Sequence, residues 1–183
     1  TYIPDILFYI APMRPIHFAV FFLVLLISCS ACGGKKAIDY VNRGNEKIID
    51  QDYTGAILQY DKAIRSDPNL AVAFFKRGVA KSYIEDFPQA INDYSTAITL
   101  NPKHRDAYYY RGNAKYDLKA FRDAIKDYNK AIELDSMFAN AYNHRALAKS
   151  DIKDFPGAMD DFNKAIMLDR TNSTAYFYRG RLK

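Results

Sequence analysis

Residues 105–138 read RDAYYYRGNAKYDLKAFRDAIKDYNKAIELDSMF, and this stretch decides the fold because its pattern recurs. Arg111-Gly112 has counterparts at Arg43-Gly44, Arg77-Gly78 and Arg145-Ala146, a period of 34 residues. Twelve positions beyond each small residue stands Ala56, Ala90, Ala124 or Ala158. Four further on comes Tyr60, Tyr94, Tyr128 or Phe162, and three after that Ala63, Ala97, Ala131 or Ala165. A fixed period of roughly 20 to 50 residues marks a stacked-repeat architecture, in which each unit buries its apolar face against its neighbours. Such stacks present long surfaces, so the chain reads as a binder before it reads as a catalyst.

Within one unit the apolar spacing is helical twice over. Arg105 to Lys119 sets Tyr108, Gly112 and Tyr116 at four-residue steps, with Ala107, Ala114 and Leu118 beside them. Phe121 to Asp135 places Phe121, Ala124, Ile125, Tyr128, Ala131 and Ile132 on one stripe. Steps of three and four make both segments amphipathic helices. Breaks fall at Glu85-Asp86-Phe87-Pro88 and Lys153-Asp154-Phe155-Pro156, where Asp caps the next helix and Pro sits harmlessly in its first turn. Asp67-Pro68 and Asn101-Pro102 end second helices, since Pro disfavours a helical residue before it. Ser136 and Arg170 replace that Pro in the third and fourth copies, so softer stops are expected there. Gly44, Gly78, Gly112 and Ala146 lie mid-helix, where Gly costs about 1 kcal/mol relative to Ala. The expected compensation is close approach of the partner helix through its alanines. Tyr60, Tyr94, Tyr128 and Phe162 are expected to fill the space between neighbouring repeats.

With small residue, Ala, aromatic, Ala and Pro at these spacings, the chain resembles the tetratricopeptide repeat family over about three quarters of its length. The resemblance implies an all-α, right-handed superhelical solenoid of antiparallel helix pairs. Four full repeats (37–70, 71–104, 105–138, 139–172) would be followed by a partial copy at 173–183. Two departures stand out. The first helix opens with Tyr40, Phe74, Tyr108, Tyr142 or Tyr176 where the family often has Trp, and Arg replaces Leu before the Gly. Tyr176 and Arg179-Gly180 put the partial copy in phase, either as a terminal cap or as the front of a longer protein.

In that family the first helices line a concave face along which a partner peptide or helix lies. By position the groove residues are Val41, Asn45, Phe75, Val79, Tyr109, Asn113, Tyr116, Asn143, Leu147 and Phe177. Aromatics supply contact area and Asn amides can pair with an extended backbone. The competing reading makes several of these aromatics stack packing. Asn45, Asn113 and Asn143 weigh towards recognition, because helix interiors disfavour Asn. Some members clamp C-terminal carboxylates with Lys and Arg. The corresponding third-repeat positions here hold Asp106 and Tyr110, which argues against such a clamp.

The first 36 residues read as an address. Phe18 to Ile27 is an unbroken apolar run of ten residues behind Met13-Arg14-Pro15, the layout of a secretory signal and short for a bilayer span. Leu26-Ile27-Ser28-Cys29 closes it and resembles the lipobox of bacterial lipoproteins, which implies cleavage before Cys29 and acylation there. Ser30 after the Cys implies passage to an outer membrane, facing the periplasm, if the cell has one. Two or more acyl chains make a stable anchor where one is marginal. The division is then 1–28 extension and signal, 29–36 lipidated Cys and flexible tether, and 37–183 repeat domain. An uncleaved span over Ile16–Ala31 and an ordinary cleaved signal are the alternatives. Thr1 to Pro12 fit a signal poorly, and Met13 is the more natural start.

Charge is not concentrated. The whole chain carries +5, and setting aside Asp5, Arg14, Lys35 and Lys36 leaves 23 basic against 20 acidic residues, interspersed. That is no nucleic-acid footprint. Arg77 with Asp93, Arg111 with Asp127 and Arg145 with Asp161 recur in phase, with Lys81, Lys115 and Lys149 one turn on. They read as structural ion pairs across each helix hairpin; in the first copy Arg43 faces Gln59, a neutral partner. His17, His104 and His144 have no ligand-spaced companions, no Gly-rich phosphate loop occurs, and no nucleophile is left once the cysteines are assigned. No metal, cofactor or catalytic site is expected. The expectation is a non-enzymatic protein-interaction scaffold, lipid-anchored in a bacterial envelope. The alternatives are the recognition region of a longer protein and a membrane-anchored receptor for targeting peptides.

Overall fold

The computed structural model describes residues 34–182. Each repeat becomes a helical hairpin: α1 (34–49) with α2 (Tyr53–Ser66), α3 (Ala71–Tyr83) with α4 (Phe87–Leu100), α5 (Arg105–Asp117) with α6 (Phe121–Leu134), and α7 (Ala139–Asp151) with α8 (Phe155–Leu168). A last helix, α9 (Ser173–Arg181), follows the fourth pair. Helix α1 reaches back over Gly34, Lys35 and Lys36, which the sequence assigned to the tether. Nothing there breaks a helix, and Ala37 is already fully buried. The proposed lipid-bearing Cys29 and its apolar segment lie outside the described residues. Among the described residues, no helix is long and apolar enough to cross a membrane.

The turns inside the hairpins repeat one backbone solution. Gln51, Glu85, Lys119 and Lys153 each adopt a left-handed conformation, with φ between 59° and 66°. Asp86 and Asp154 cap the following helix by accepting a backbone hydrogen bond, as the sequence implied, and Asp52 does the same before α2. Ala120 replaces that Asp before α6 and makes no side-chain cap.

The expected softening of the later stops is not found. Asp135 and Asp169 leave α6 and α8 in the same extended conformation as Asp67 and Asn101. Each of these four side chains accepts a hydrogen bond from the amide two residues on, at Asn69, Lys103, Met137 and Thr171. This side-chain turn ends the helix with or without proline, because Asp and Asn offer the backbone a local alternative to the helical bond.

The glycines also have a different neighbour from the one expected. A Cβ on Gly112 would stand 2.6 Å from the Tyr128 ring, and one on Gly78 2.7 Å from Tyr94. Tyr60 crowds Gly44 in the same way. The second-helix tyrosine, not an alanine, sits against each glycine. All three tyrosines and Phe162 are fully buried, and each packs with the first helix of the next repeat, as Tyr128 does with Ala141 and Ala148. The aromatics therefore join repeats, as the sequence implied. Besides packing on their sequence neighbours, α3, α5, α7 and α9 approach one another in succession, whereas α4 does not reach α2 or α6. The first helices thus form the inner side of the stack.

The recurring arginine binds three ways. Arg111 Nε and Nη2 donate to the two carboxylate oxygens of Asp127 at 2.9 and 2.6 Å, and Lys115 pairs with the same carboxylate at 2.7 Å. Its third nitrogen donates to Ser95 of the preceding repeat at 3.1 Å. Its guanidinium lies 5.5 Å from the centre of the Tyr108 ring. Arg77 and Arg145 repeat the bidentate grip, reaching back to Asp61 and Asn129. The pairs are structural, as read from the sequence, and they also tie each repeat to the one before. Arg43 departs from expectation: it pairs with exposed Asp39 at 2.9 Å, and the buried Gln59 oxygen has no hydrogen-bond partner. Without an Asp at that site, the cheaper arrangement keeps the guanidinium in water.

Candidate partner-binding groove

Burial sorts the ten groove residues read from the sequence. Val41, Phe75, Tyr109 and Asn143 are buried in the stack, with at most 8% exposure. Tyr109 packs between Phe138 and Tyr128 with ring centres 4.9 and 6.1 Å away, and its hydroxyl lies 3.2 Å from His144 Nδ1. For these aromatics the packing reading prevails. The Asn143 oxygen is buried without a hydrogen-bond partner among the described residues.

Two of the asparagines have an internal task that explains their presence in a helix. Asn45 accepts the Tyr60 hydroxyl hydrogen at 3.0 Å and Asn113 accepts that of Tyr128 at 2.9 Å. The Ser82 and Tyr94 hydroxyls share a hydrogen bond of 3.0 Å. A buried phenol is thereby satisfied across each of the first three hairpins. Burial pushes the Tyr60 phenol up to about 12. Tyr116 and Leu147 are half-buried, and the Tyr116 hydroxyl donates to Asp151 at 2.6 Å across two first helices. Phe177 on α9 is 60% exposed.

What remains open is a groove along the first helices. Between α3 and α5 lies a cleft of about 350 Å³, formed by Val79, Tyr83, Glu85, Phe87, Tyr110, Asn113 and Asp117 among others. A second cleft of about 240 Å³, between α1 and α3, is formed by Asn45, Ile48, Ile49, Tyr60, Lys76 and Val79. Val79 borders both, so the two clefts adjoin along α3. Of the sequence candidates, Asn45, Val79 and Asn113 line it.

Its aromatic wall is fixed in place. Tyr83, 58% exposed, stacks on Tyr53 with ring centres 4.7 Å apart. Tyr110, 38% exposed, meets Phe75 edge-on at 5.6 Å and Tyr109 at 5.3 Å. Large rigid side chains held this way give up little entropy when a partner covers them. The sequence reading missed Tyr83, Tyr110, Glu85 and Asp117. A signal was present: the position six after each Arg holds Ile49, Tyr83, Asp117 and Asp151, and the one before each Arg holds Asn42, Lys76, Tyr110 and His144. These columns change from copy to copy while the packing columns stay constant.

Comparison with known proteins agrees with this architecture. A family model described as TPR repeat matches residues 84–119 and 112–152, and one described as Tetratricopeptide repeat matches residues 139–172. No curated protein matches the sequence. Among solved structures, one of MamA protein is 26% identical with a TM-score of 0.76 over 81% of each chain. The first TPR of Spaghetti (RPAP3), bound to the HSP90 peptide SRMEEVD, is 28% identical with a TM-score of 0.65, over 66% of this chain and 95% of that one. The Arabidopsis OM64 TPR domain is 29% identical with a TM-score of 0.60, over 61% and 93%. Tetratricopeptide repeats are protein-interaction modules, and their stacking creates extended concave surfaces. The chain carries tetratricopeptide repeats, and its described residues form a tetratricopeptide-repeat solenoid.

Proposed function

We propose that this protein is a non-enzymatic scaffold that holds a peptide or helix of a partner protein in the groove along its first helices. The observation that carries the reading is the pair Tyr83 and Tyr110: two exposed aromatics facing one cleft, Tyr83 stacked on half-buried Tyr53 and Tyr110 set edge-on against buried Phe75. Preorganised aromatic anchors beside hydrogen-bonding amides are what a peptide-binding surface needs. The similar Spaghetti domain, which is bound to a peptide, supports the class of ligand.

The same proposal places the scaffold at a bacterial cell envelope, held by acyl chains on Cys29 and facing the periplasm where an outer membrane exists. The support is the lipobox-like run Leu26-Ile27-Ser28-Cys29 behind an apolar segment. The mass of the mature N-terminus tests the anchor, since a diacylated Cys29 differs from an intact segment and from a free amino terminus.

Partner capture tests the groove. The full-length protein, purified from cell extract, is compared with a Tyr83→Ala, Tyr110→Ala double variant. The reading requires a partner retained by the first and lost by the second, with an unchanged melting temperature. A partner held equally by both moves the site off the groove.

A further inference from the structure

Neither acid of the groove is ion-paired with a Lys or Arg among the described residues. Glu85 and Asp117 both face the cleft between α3 and α5. The ion pairs among the described residues join Asp39, Asp52, Asp61, Asp93, Asp106, Asp123, Asp127, Glu133, Asp135 and Asp161 to Lys or Arg, but neither Glu85 nor Asp117. Burial and the neighbouring Glu85 push the Asp117 carboxyl above the ordinary carboxylate range, while His144 acts in the opposite sense. Two carboxylates facing the same half-apolar cleft repel each other, and a cation between them would relieve both. The walls suit a cation too. Tyr83 and Tyr110 line the same space, where a long aliphatic stem can lie against them and its charged head can reach the acids.

We infer that this cleft takes a lysine or arginine side chain of an extended partner peptide, the basic residue seated between Glu85 and Asp117 with apolar neighbours against Val79, Phe87 and Tyr110. The inference rests on the groove reading above and adds the chemistry of its ligand. It also sets this protein apart from the Spaghetti domain, whose bound peptide ends in Glu-Glu-Val-Asp. Lys76 lines the adjoining cleft towards α1 with Ile48, Ile49 and Val79, and is not among the residues that line the acidic one. An acidic side chain of the same peptide fits there. The groove thus reads a basic residue at α3–α5 and tolerates an acid one repeat earlier, which also fixes the direction in which the peptide lies.

The experiment uses the full-length chain and a position-scanning library of short synthetic peptides, with selected peptides then measured singly. Four proteins are compared: wild type, Glu85→Gln with Asp117→Asn, Asp117→Lys, and Tyr110→Ala. Glu85 and Asp117 are exposed and Tyr110 is partly so, and circular dichroism with melting temperatures checks that each variant remains folded. The expected result is wild-type enrichment of Lys or Arg flanked by apolar residues. The neutral double variant should bind those peptides roughly tenfold more weakly. Asp117→Lys should shift the preference to Glu or Asp. Enrichment with no basic preference, still lost in Tyr110→Ala, would overturn this inference and leave the groove reading standing. Binding insensitive to both Tyr110→Ala and the charge changes would overturn the groove reading itself. Failure to select any peptide contradicts both.

Discussion

Arg111 and Asp127 meet through two parallel hydrogen bonds of 2.9 and 2.6 Å across the α5–α6 hairpin, and Asp127 is only 4% exposed. Planar fork against planar carboxylate is the strongest form of ion pair a side chain can offer. Removing the acid strands two cations, Arg111 and Lys115, both at least three quarters buried. Asp127→Ala should therefore cost about 3–5 kcal/mol, well above the value of a surface pair. Thermal or urea unfolding measures it, and a loss below about 1 kcal/mol would mean that water reaches the pair freely.

Tyr128 over Gly112 gives a second prediction. A methyl at Gly112 lands 2.6 Å from the ring, so Gly112→Ala should destabilise by about 1–3 kcal/mol despite the better helix propensity of Ala. The fourth repeat shows the permitted alternative, Ala146 with Phe162, in which no phenol has to reach a partner. Adding Tyr128→Phe frees the ring from Asn113. The double variant should thus lose less than the sum of the singles, a coupling readable in a double-mutant cycle.

The repeat period, the helix pairs, the Asp caps and the Arg–Asp pairs were all legible in the sequence, because each recurs in phase and repetition separates pattern from noise. Three things were not. Asn113 looked like a recognition residue since mid-helix Asn is unfavourable, yet its partner is the Tyr128 hydroxyl fifteen residues away, a contact only the hairpin geometry creates. Tyr109 and Tyr110 are adjacent tyrosines, and a helix turns by about 100° between them, so one is buried and the other lines the groove. Periodicity gave the stripe but not which tyrosine it placed inside. The helix stops at Asp135 and Asp169 lacked their proline, and the side-chain turn that replaces it uses a residue common in every loop.

Left-handed residues in the hairpin turns supply a third test. Lys119 has φ 62°, which costs a residue bearing a Cβ about 1 kcal/mol. Lys119→Gly should be neutral to stabilising by about 0.5 kcal/mol, after the greater freedom of Gly in the unfolded chain is counted. Lys119→Val should instead lose about 1–2 kcal/mol, since branching at Cβ worsens the clash. Equal stability of the two variants would contradict the turn geometry.

Acid should weaken the stack through two histidines. Burial pushes the imidazoles of His104 and His144 below their ordinary 6.5. A histidine with a depressed folded value favours the neutral form, so its contribution is complete above about pH 6.5. It is lost as pH falls from there through the folded value. Melting temperatures should decline across that window in the wild type and decline less in a His144→Phe variant. A parallel decline in both would remove His144 from the account.

Site-specific photocrosslinking in living cells tests whether a partner lies along the first helices. A photoreactive phenylalanine analogue replaces Tyr110 in the groove or Met167 on the outer side of α8, which is 61% exposed. Occupancy of the groove predicts a covalent protein adduct from position 110, abolished by Tyr83→Ala, and none from position 167. An adduct formed only from position 167, or equally from both, would contradict it.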